Sequence, residues 1–387
     1  MKKRTWAEID ITALTENFKE IRRITLPSAK VLAVVKADAY GHGAIEVAQD
    51  LIKSGADYLA VACMDEGIEL RRAGIDSPIL LLGASSEEEC PELIKNSLIP
   101  TVFSFEFAKK LSEAAEKINK KVKIHIKVDS GMSRLGFVAG INDDETSDTI
   151  IKISQLPFIE VEGIFSHFAT SDEADATYTK LQFDRFIKIC NTIEEKGLKI
   201  PIRHIANSAA IMMYPEYHLD MVRAGIILYG CYPSSEVDHN KLNLKPVMTI
   251  KSRISMVKTL EENRGVSYGK TYITNQPTKI ATVPIGYADG YTRLLSSKAK
   301  MIANNTPVPV IGRICMDQCM IDVTNVNTIN TGDEVIVFGA DGITADNLAE
   351  LIGTINYEII CMISRRIPRI YLKNGKAVKT VNYLNEA

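Results

Sequence analysis

The chain has 387 residues, which is too long for one ordinary core but fits a barrel of typical size followed by a smaller domain. Its 46 basic and 48 acidic side chains give a formal net charge of -2, which argues against a nucleic-acid partner or an anionic membrane surface. Seven scattered cysteines without a C-x-x-C pair favour neither disulfides nor a zinc site, so we expect a cytoplasmic protein without a bound metal.

The N-terminal segment MKKRTWAEIDITALTENF carries basic residues but continues into a polar amphipathic stretch, so it predicts no secretion signal. The apolar runs ILLLG and IILYG are far shorter than the roughly 20 residues of a membrane span. They predict buried strands, and no membrane partner is expected.

From about Val31 to Gly230, short apolar runs alternate with segments of helical period, as in repeated βα units. The eight predicted strands have the sequences VLAVVK, DYLAVAC, PILLLG, LIPTVFS, VKIHIKVD, IEVEGIFSH, IRHIAN and LDMVRAG. Eight such units predict an α/β fold, the (β/α)8 TIM-type barrel, whose active site lies at the carboxyl ends of the strands. A doubly wound open sheet is the alternative, which this strand count disfavours.

Two helices between these strands show apolar stripes at helical spacing. The first stripe contains Leu111, Ala114, Ala115 and Ile118, and the second contains Phe183, Phe186, Ile187 and Cys190. Gly197 follows the second helix as a predicted stop.

After Pro246 the sequence changes to alternating strands such as MTIKSRISMVKTL, KIATVPIGYA and DEVIVFGA, with one clear helix near Asp346 to Gly353. We therefore predict a barrel domain over residues 1–243 and a mainly β domain over residues 244–387. The absence of a low-complexity linker indicates that the two pack tightly.

Lys36 ends the first barrel strand on the same face as Leu32 and Val34, and the glycine-containing segment AYGHG follows it. A lysine there is costly unless it is neutralised or used covalently. An imine with an aldehyde cofactor meets that need. A lysine whose amine reaches solvent at the barrel rim fits this feature equally well.

Strand five, VKIHIKVD, sends Lys123, His125, Lys127 and Asp129 to the face opposite its apolar residues, which predicts a polar barrel lumen or an edge strand with one wet face. The following SGMSRLG loop offers Arg134 to a carboxylate or phenolate. His167 ends strand six and could stack on a flat cofactor ring, although a lone histidine is more often structural.

The ends of strands seven and eight carry a predicted phosphate site. Ser208 and Gly225 fall in the two loops with which barrels frequently bind phosphate. Arg223 lies just before Gly225 and would keep a neighbouring pyridine nitrogen unprotonated, because its guanidinium stays charged.

These segments resemble the alanine racemase family in order and over nearly the whole chain. The resemblance is carried by VVKADAYGHG, KVDSGMSRLG, EGIFSHFA, HIANSAA, MVRAGIILYG, VSYGKTY, VPIGYADGY, GRICMDQ and the region from Tyr357 to Arg366. It implies a pyridoxal 5'-phosphate enzyme that interconverts L- and D-alanine, supplies D-alanine for peptidoglycan and forms a head-to-tail homodimer.

The resemblance also implies a role for each matching residue. Lys36 corresponds to the lysine that forms the imine and acts as one base, and Tyr268 to the opposite base, contributed by the partner subunit. The phosphate contacts correspond to Tyr40, Ser208, Gly225, Ile226 and Tyr357. The other matches are His167 facing the ring, Arg223 at the pyridine nitrogen, His204 supporting that arginine, and Arg134 and Met316 at the substrate carboxylate. Lys127 lies where many members carry a carbamylated lysine.

Without the resemblance, Tyr268 fits an exposed hairpin tyrosine and Tyr357 a core aromatic. Three other functions stay open. A racemase of serine or lysine differs in pocket size, which motifs do not reveal. A barrel-type decarboxylase should carry an acidic partner at the pyridine nitrogen, which Arg223 argues against. A non-catalytic pyridoxal phosphate carrier should lack the second domain.

Overall fold

The computed structural model describes residues 4–339 and 342–385. After a first strand, β1 (Thr5–Asp10), the chain forms the predicted barrel from eight parallel strands, confirming the fold class. These strands are β2 (Lys30–Val34), β3 (Tyr58–Val61), β4 (Ile79–Leu81), β5 (Thr101–Val102), β6 (Val122–Asp129), β8 (Ile159–Phe165), β9 (Ile202–His204) and β10 (Met221–Ala224). A short extra strand, β7 (Phe137–Val138), pairs with β6.

The barrel strands pair in two arcs, β10-β2-β3-β4 and β5-β6-β8-β9. The arcs meet at a parallel bridge between Leu80 and Ile99. On the other side, the Arg223 N–H donates to the Ala206 carbonyl at 3.0 Å. The eight strands therefore close into a barrel around a buried core.

Helices cover the outside of the barrel and fill its loops. They are α1 (Ile11–Ile24), α2 (Lys36–Tyr40), α3 (Ala44–Lys53), α4 (Met64–Arg72), α5 (Cys90–Lys95), α6 (Phe105–Lys117), α7 (Asp143–Ser154), α8 (Thr177–Glu195) and α9 (Ser208–Met213). No helix in the two described ranges is both long and apolar enough to span a bilayer.

Both predicted apolar stripes lie on helices, with one error. Leu111 and Ala115 are buried on α6, and Phe186 and Cys190 are buried on α8. Ile118 was wrongly placed in the first stripe. Helix α6 ends at Lys117, and Ile118 is its 53% exposed C-cap.

The remaining elements form the mainly β part of the chain. Its strands are β11 (Met248–Arg253), β12 (Met256–Leu260), β13 (Gly265–Val266), β14 (Tyr272–Ile273), β15 (Thr278–Val283), β16 (Lys300–Ala303), β17 (Thr306–Ile311), β18 (Cys319–Asp322), β19 (Glu334–Phe338), β20 (Arg369–Lys373) and β21 (Lys376–Val381). Helix α10 (Ala345–Ile352) is the predicted one, and α11 (Asn356–Cys361) was not predicted.

A ten-stranded sheet with the order β12-β15-β18-β17-β16-β19-β11-β1-β20-β21 organises this part. The N-terminal strand β1 lies inside it, antiparallel to β11 and parallel to β20. The chain therefore starts in this sheet, builds the barrel, and returns to the sheet. The segment MTIKSRISMVKTL forms two strands, β11 and β12, rather than one.

The segment after β2 has an unusual backbone. Ala37, Asp38, Ala39 and Tyr40 all have φ between +52° and +54°, so α2 is a left-handed turn. A left-handed helical residue costs about 1–2 kcal/mol when it carries a Cβ. None of the four is glycine, so the surrounding structure must hold the turn.

We expect Ala37→Gly to stabilise the protein by about 0.5–1 kcal/mol, because glycine adopts this conformation without a steric penalty. Ala37 is exposed, so the change removes no buried contact. Ala114→Gly in the right-handed helix α6 is the control, and it should destabilise by about 1 kcal/mol. Urea unfolding measures both, and equal losses of stability would show that the turn is unstrained.

Candidate active site

A cavity of about 510 Å³ opens at the carboxyl ends of the barrel strands. Nine of the eleven predicted site residues line it: Lys36, Tyr40, Arg134, His167, Ser208, Arg223, Gly225, Ile226 and Tyr357. They come from positions spread over more than three hundred residues of sequence. Eight of them lie at the carboxyl ends of barrel strands, which share one rim, and α11 of the mainly β part brings Tyr357 to the same place.

The Lys36 amine enters this cavity directly before the left-handed turn. Burial lowers its pKa, and the charge of Arg134 lowers it further. Across the described residues, Lys36 has no carboxylate within ion-pair distance. A desolvated amine without a counter-ion is more easily deprotonated, so it can act as a nucleophile and as a base.

Arg223 is 3% exposed and lies at the end of β10. Its guanidinium donates at 3.0 Å to Nδ1 of His204 and at 3.0 Å to Nδ1 of His167. It also donates to the carbonyls of Ser166 and Ile205. Arginine has no acceptor, so both imidazoles must present a lone pair to it and are therefore neutral.

This constraint sets the direction of a buried chain of hydrogen bonds. With its Nδ1 accepting, His204 carries its proton on Nε2 and donates to Nδ1 of His125 at 2.9 Å. The His125 Nε2–H then donates to Glu162 at 3.4 Å, and Lys123 donates to the same carboxylate at 2.6 Å. Burial lowers the pKa of His125 and, together with Arg223, of His167 and His204. This chain of hydrogen bonds ends on the Glu162 carboxylate and keeps Arg223 as a cationic donor.

A group of polar residues in the cavity has the form of a phosphate site. The Ser208 hydroxyl accepts from the Gly225 N–H at 3.0 Å. A Cβ at position 225 would lie 3.1 Å from the Tyr40 hydroxyl, so glycine permits this close approach. Ile226 begins a 3-10 helix, so its N–H has no partner within that helix. The hydroxyls of Tyr40 and Tyr357 bond to no group in the described chain, which leaves both free for a ligand.

Lys127 and Arg134 lie on the same wall of the cavity. The Lys127 amine is 4.2 Å from the ring centroid of Phe165. Burial lowers its pKa well below the usual value, and the charges of Arg223 and Arg134 add to the effect. The charges of Arg223 and Arg134 thus disfavour the ammonium form of Lys127 and favour an anion beside them.

Tyr268 and Met316 are absent from the residues that line their own chain's cavity. Tyr268 is 68% exposed on the loop between β13 and β14, and Met316 is 52% exposed. The Ser267 hydroxyl, beside Tyr268, donates to the Arg313 carbonyl at 2.6 Å, so the two segments share one surface. Both segments therefore lie outside the cavity that holds the other nine predicted residues.

The cavity fits pyridoxal 5'-phosphate by the chemistry of its groups. It offers an unpaired amine that can bond to an aldehyde, and an arginine, held in place by its acceptors, that can donate to a ring nitrogen. It also offers free hydroxyl and N–H groups that can bind a phosphate. Several further lining residues were given no role in the sequence analysis, among them Phe165, Asp172 and Cys361. Phe165 lies in the EGIFSHFA motif and Cys361 in the region from Tyr357 to Arg366, whereas Asp172 follows soon after His167 on the same loop.

Comparison with known proteins gives one consistent family. The family models described as alanine racemase, N-terminal domain, and alanine racemase, C-terminal domain, match residues 9–233 and 247–371. An alanine racemase of Clostridium tetani is 51% identical over 98% of both chains. A solved alanine racemase of Clostridium difficile 630 is 46% identical, with a TM-score of 0.95 over 99% of this chain and all of that one. A Bacillus anthracis alanine racemase with bound L-Ala-P is 37% identical, with a TM-score of 0.93 and full coverage of both chains.

The buried imidazoles predict a loss of stability in mild acid. Burial lowers the pKa of His42 to about 3, whereas an unfolded histidine titrates near pH 6.5. Below about pH 6.5 the unfolded chain therefore binds a proton that the folded chain does not, and the free energy of unfolding falls by up to about 1.4 kcal/mol per pH unit for each such group.

We expect His42→Asn to reduce the change in the free energy of unfolding per pH unit by the contribution of one histidine. Urea unfolding between pH 7 and pH 5, at fixed protein concentration, measures the slope. The same change at the exposed His239 is the control. An unchanged slope in His42→Asn would show that His42 takes up its proton in the folded protein as well.

Proposed function

The chain belongs to the alanine racemase family, so it is an isomerase that interconverts L- and D-alanine with pyridoxal 5'-phosphate, and we propose that Lys36 and Tyr268 are its two bases. The observation that carries the proposal is the unpaired Lys36 amine, which shares one cavity with the free hydroxyls of Tyr40 and Tyr357. This arrangement holds a reactive amine and the groups of a phosphate site in one cavity.

We propose that the cofactor is held through three sets of contacts. The phosphate falls to Tyr40, Ser208, Gly225, Ile226 and Tyr357. His167 faces the ring, and Arg223 donates to the ring nitrogen. When bound, pyridoxal phosphate makes the α-hydrogen of an attached amino acid acidic. A guanidinium at the nitrogen limits how far the ring withdraws electrons, which disfavours side reactions such as transamination.

The chain's own residues then move the proton. Burial and Arg134 favour the neutral Lys36 amine, which can accept a proton on one face of the substrate. Tyr268 serves the other face. A free phenol has a pKa of about 10, so it needs nearby positive charge to act as a base near neutrality. Arg134 and the backbone N–H of Met316 bind the substrate carboxylate.

We propose a head-to-tail homodimer, because Tyr268 and Met316 lie outside the cavity of their own chain. We place the division between the two domains at residues 243 and 244, except that strand β1 (Thr5–Asp10) belongs to the ten-stranded sheet of the second domain. This second domain contributes Tyr268. A cytoplasmic location agrees with seven cysteines that form no disulfide, and D-alanine would serve there as a peptidoglycan precursor.

We expect purified protein to interconvert L- and D-alanine faster than it racemises L-serine or L-lysine. Borohydride should trap the cofactor on Lys36, detected as one modified peptide by mass spectrometry. Lys36→Ala should lose both the adduct and at least about a thousandfold in activity. Wild-type protein saturated with cofactor but without an adduct at Lys36 would refute the assignment.

Tyr268→Phe should lower the racemisation rate at least about a hundredfold, because a positioned acid-base group contributes that much. Cofactor binding should change little. The α-deuterium isotope effect should rise for the alanine isomer whose hydrogen faces Tyr268. Near-normal exchange of both isomers would contradict the role of Tyr268.

Mixing the two variants tests the composite site. In a mixed dimer of Lys36→Ala and Tyr268→Phe, one of the two sites combines an intact Lys36 with an intact Tyr268. Random reassortment should therefore restore about a quarter of wild-type activity. No recovery from a dimer shown to be mixed would place both bases in the same subunit.

A further inference from the structure

Glu66 joins the ends of the first two barrel strands. It lies in the first turn of α4, and its Oε1 accepts from the Ala37 N–H at 2.6 Å. Its Oε2 accepts from the Ala62 N–H at 2.7 Å. Ala37 follows β2, and Ala62 follows β3, the neighbouring parallel strand. One carboxylate therefore binds two N–H groups where the strands separate.

A helix cap would explain only half of this geometry. The bond to Ala62 is local, because that residue lies four positions before Glu66. The bond to Ala37 spans 29 residues and reaches a different strand. A residue that served only its own helix would have no reason to bind the backbone directly after Lys36.

The site of the second bond makes it consequential. Ala37 is the first residue of the left-handed turn and is bonded covalently to Lys36. Strained backbone persists only where neighbouring groups hold it. Farther along, the Ala44 N–H donates to Asp38, and Arg369 donates to the Gly41 carbonyl. At the Lys36 end, Glu66 supplies the corresponding bond.

The charge of Glu66 also acts on the Lys36 amine. Four charged or titratable groups face this amine: Arg134, Cys361, Glu66 and Arg223. The two arginines favour loss of its proton, whereas Cys361 and, less strongly, the Glu66 carboxylate oppose them. Glu66 is thus the carboxylate that moderates the field at Lys36, and it does so from a position fixed by two hydrogen bonds.

We propose that Glu66 is a positioning residue for Lys36, whose carboxylate fixes the backbone after the lysine and thereby the direction in which the amine enters the cavity. The inference rests on the proposed role of Lys36. It assigns the first turn of α4 to the catalytic apparatus, although Glu66 is not among the residues that line the cavity.

The test compares Glu66→Ala and Glu66→Gln with Asp65→Ala in the cofactor-loaded enzyme. Asp65 is the matched control, because it is an exposed carboxylate on the same turn. Glu66→Ala loses both bonds. Glu66→Gln keeps one acceptor oxygen, so its effects should lie between those of alanine and wild type, and it serves if the alanine variant does not fold.

We expect kcat to fall about ten- to a hundredfold in Glu66→Ala, with KM within about threefold, because displacing a catalytic group by about 1 Å can have that effect. Deuterium exchange in the peptide of residues 37–43 should become about tenfold faster after loss of the bond to Ala37. The visible circular dichroism of the bound cofactor should change as well. Asp65→Ala should match wild type in all three measurements.

Other results would overturn the inference. Wild-type exchange in residues 37–43 would show that Glu66 does not hold the turn, whatever the rate. Equal losses of kcat in Glu66→Ala and Asp65→Ala would show that Glu66 acts only through the stability of the helix or through its charge. Failure of the proposed function is distinguished from these, because the wild-type enzyme would then give no borohydride adduct at Lys36.

Discussion

The left-handed turn after Lys36 is the constraint on which the rest of the site depends. Four residues with a Cβ hold a conformation that costs each of them about 1–2 kcal/mol, so the turn needs external support. Arg369 provides much of it. Its buried guanidinium donates to the carbonyls of Gly41, Ile363, Ser364 and Ile367, and so ties the end of the turn to the strand β20 region.

The mainly β part of the chain therefore supports the barrel site of the same chain. Tyr371 donates to the His42 carbonyl at 3.1 Å, and Tyr383 donates to Asp38 at 3.0 Å. A Cβ at Gly43 would lie 1.9 Å from the Tyr371 hydroxyl, so the two parts meet there without spare room. Because β1 lies between β11 and β20, the chain enters the barrel from the same sheet that supports the Lys36 loop.

The sequence predicted features that depend on local pattern and missed those that depend on distant partners. The eight barrel strands were found because each is a short apolar run between helical segments. Strand β1 was missed because its partners begin more than two hundred residues away. Helix α11 spans only six residues, which is too short for a periodic pattern. The segment KADAY suggests an ordinary helix by composition, and nothing in it reveals the left-handed backbone. Glu66 resembles any charged residue on a helix surface until its bond to Ala37 is seen.

The two proposed bases have one physical feature in common. Lys36 precedes residues with positive φ, and Tyr268 lies among Ser267, Gly269 and Lys270, whose φ values are +64°, +72° and +50°. In neither case does a hydrogen bond from the base's own side chain to residues 4–339 or 342–385 fix its direction. The backbone fixes it, and the side-chain polar atom stays unpaired and available for proton transfer. This explains why strain occurs at both places, since a base held by its own hydrogen bond would have to break that bond in order to react.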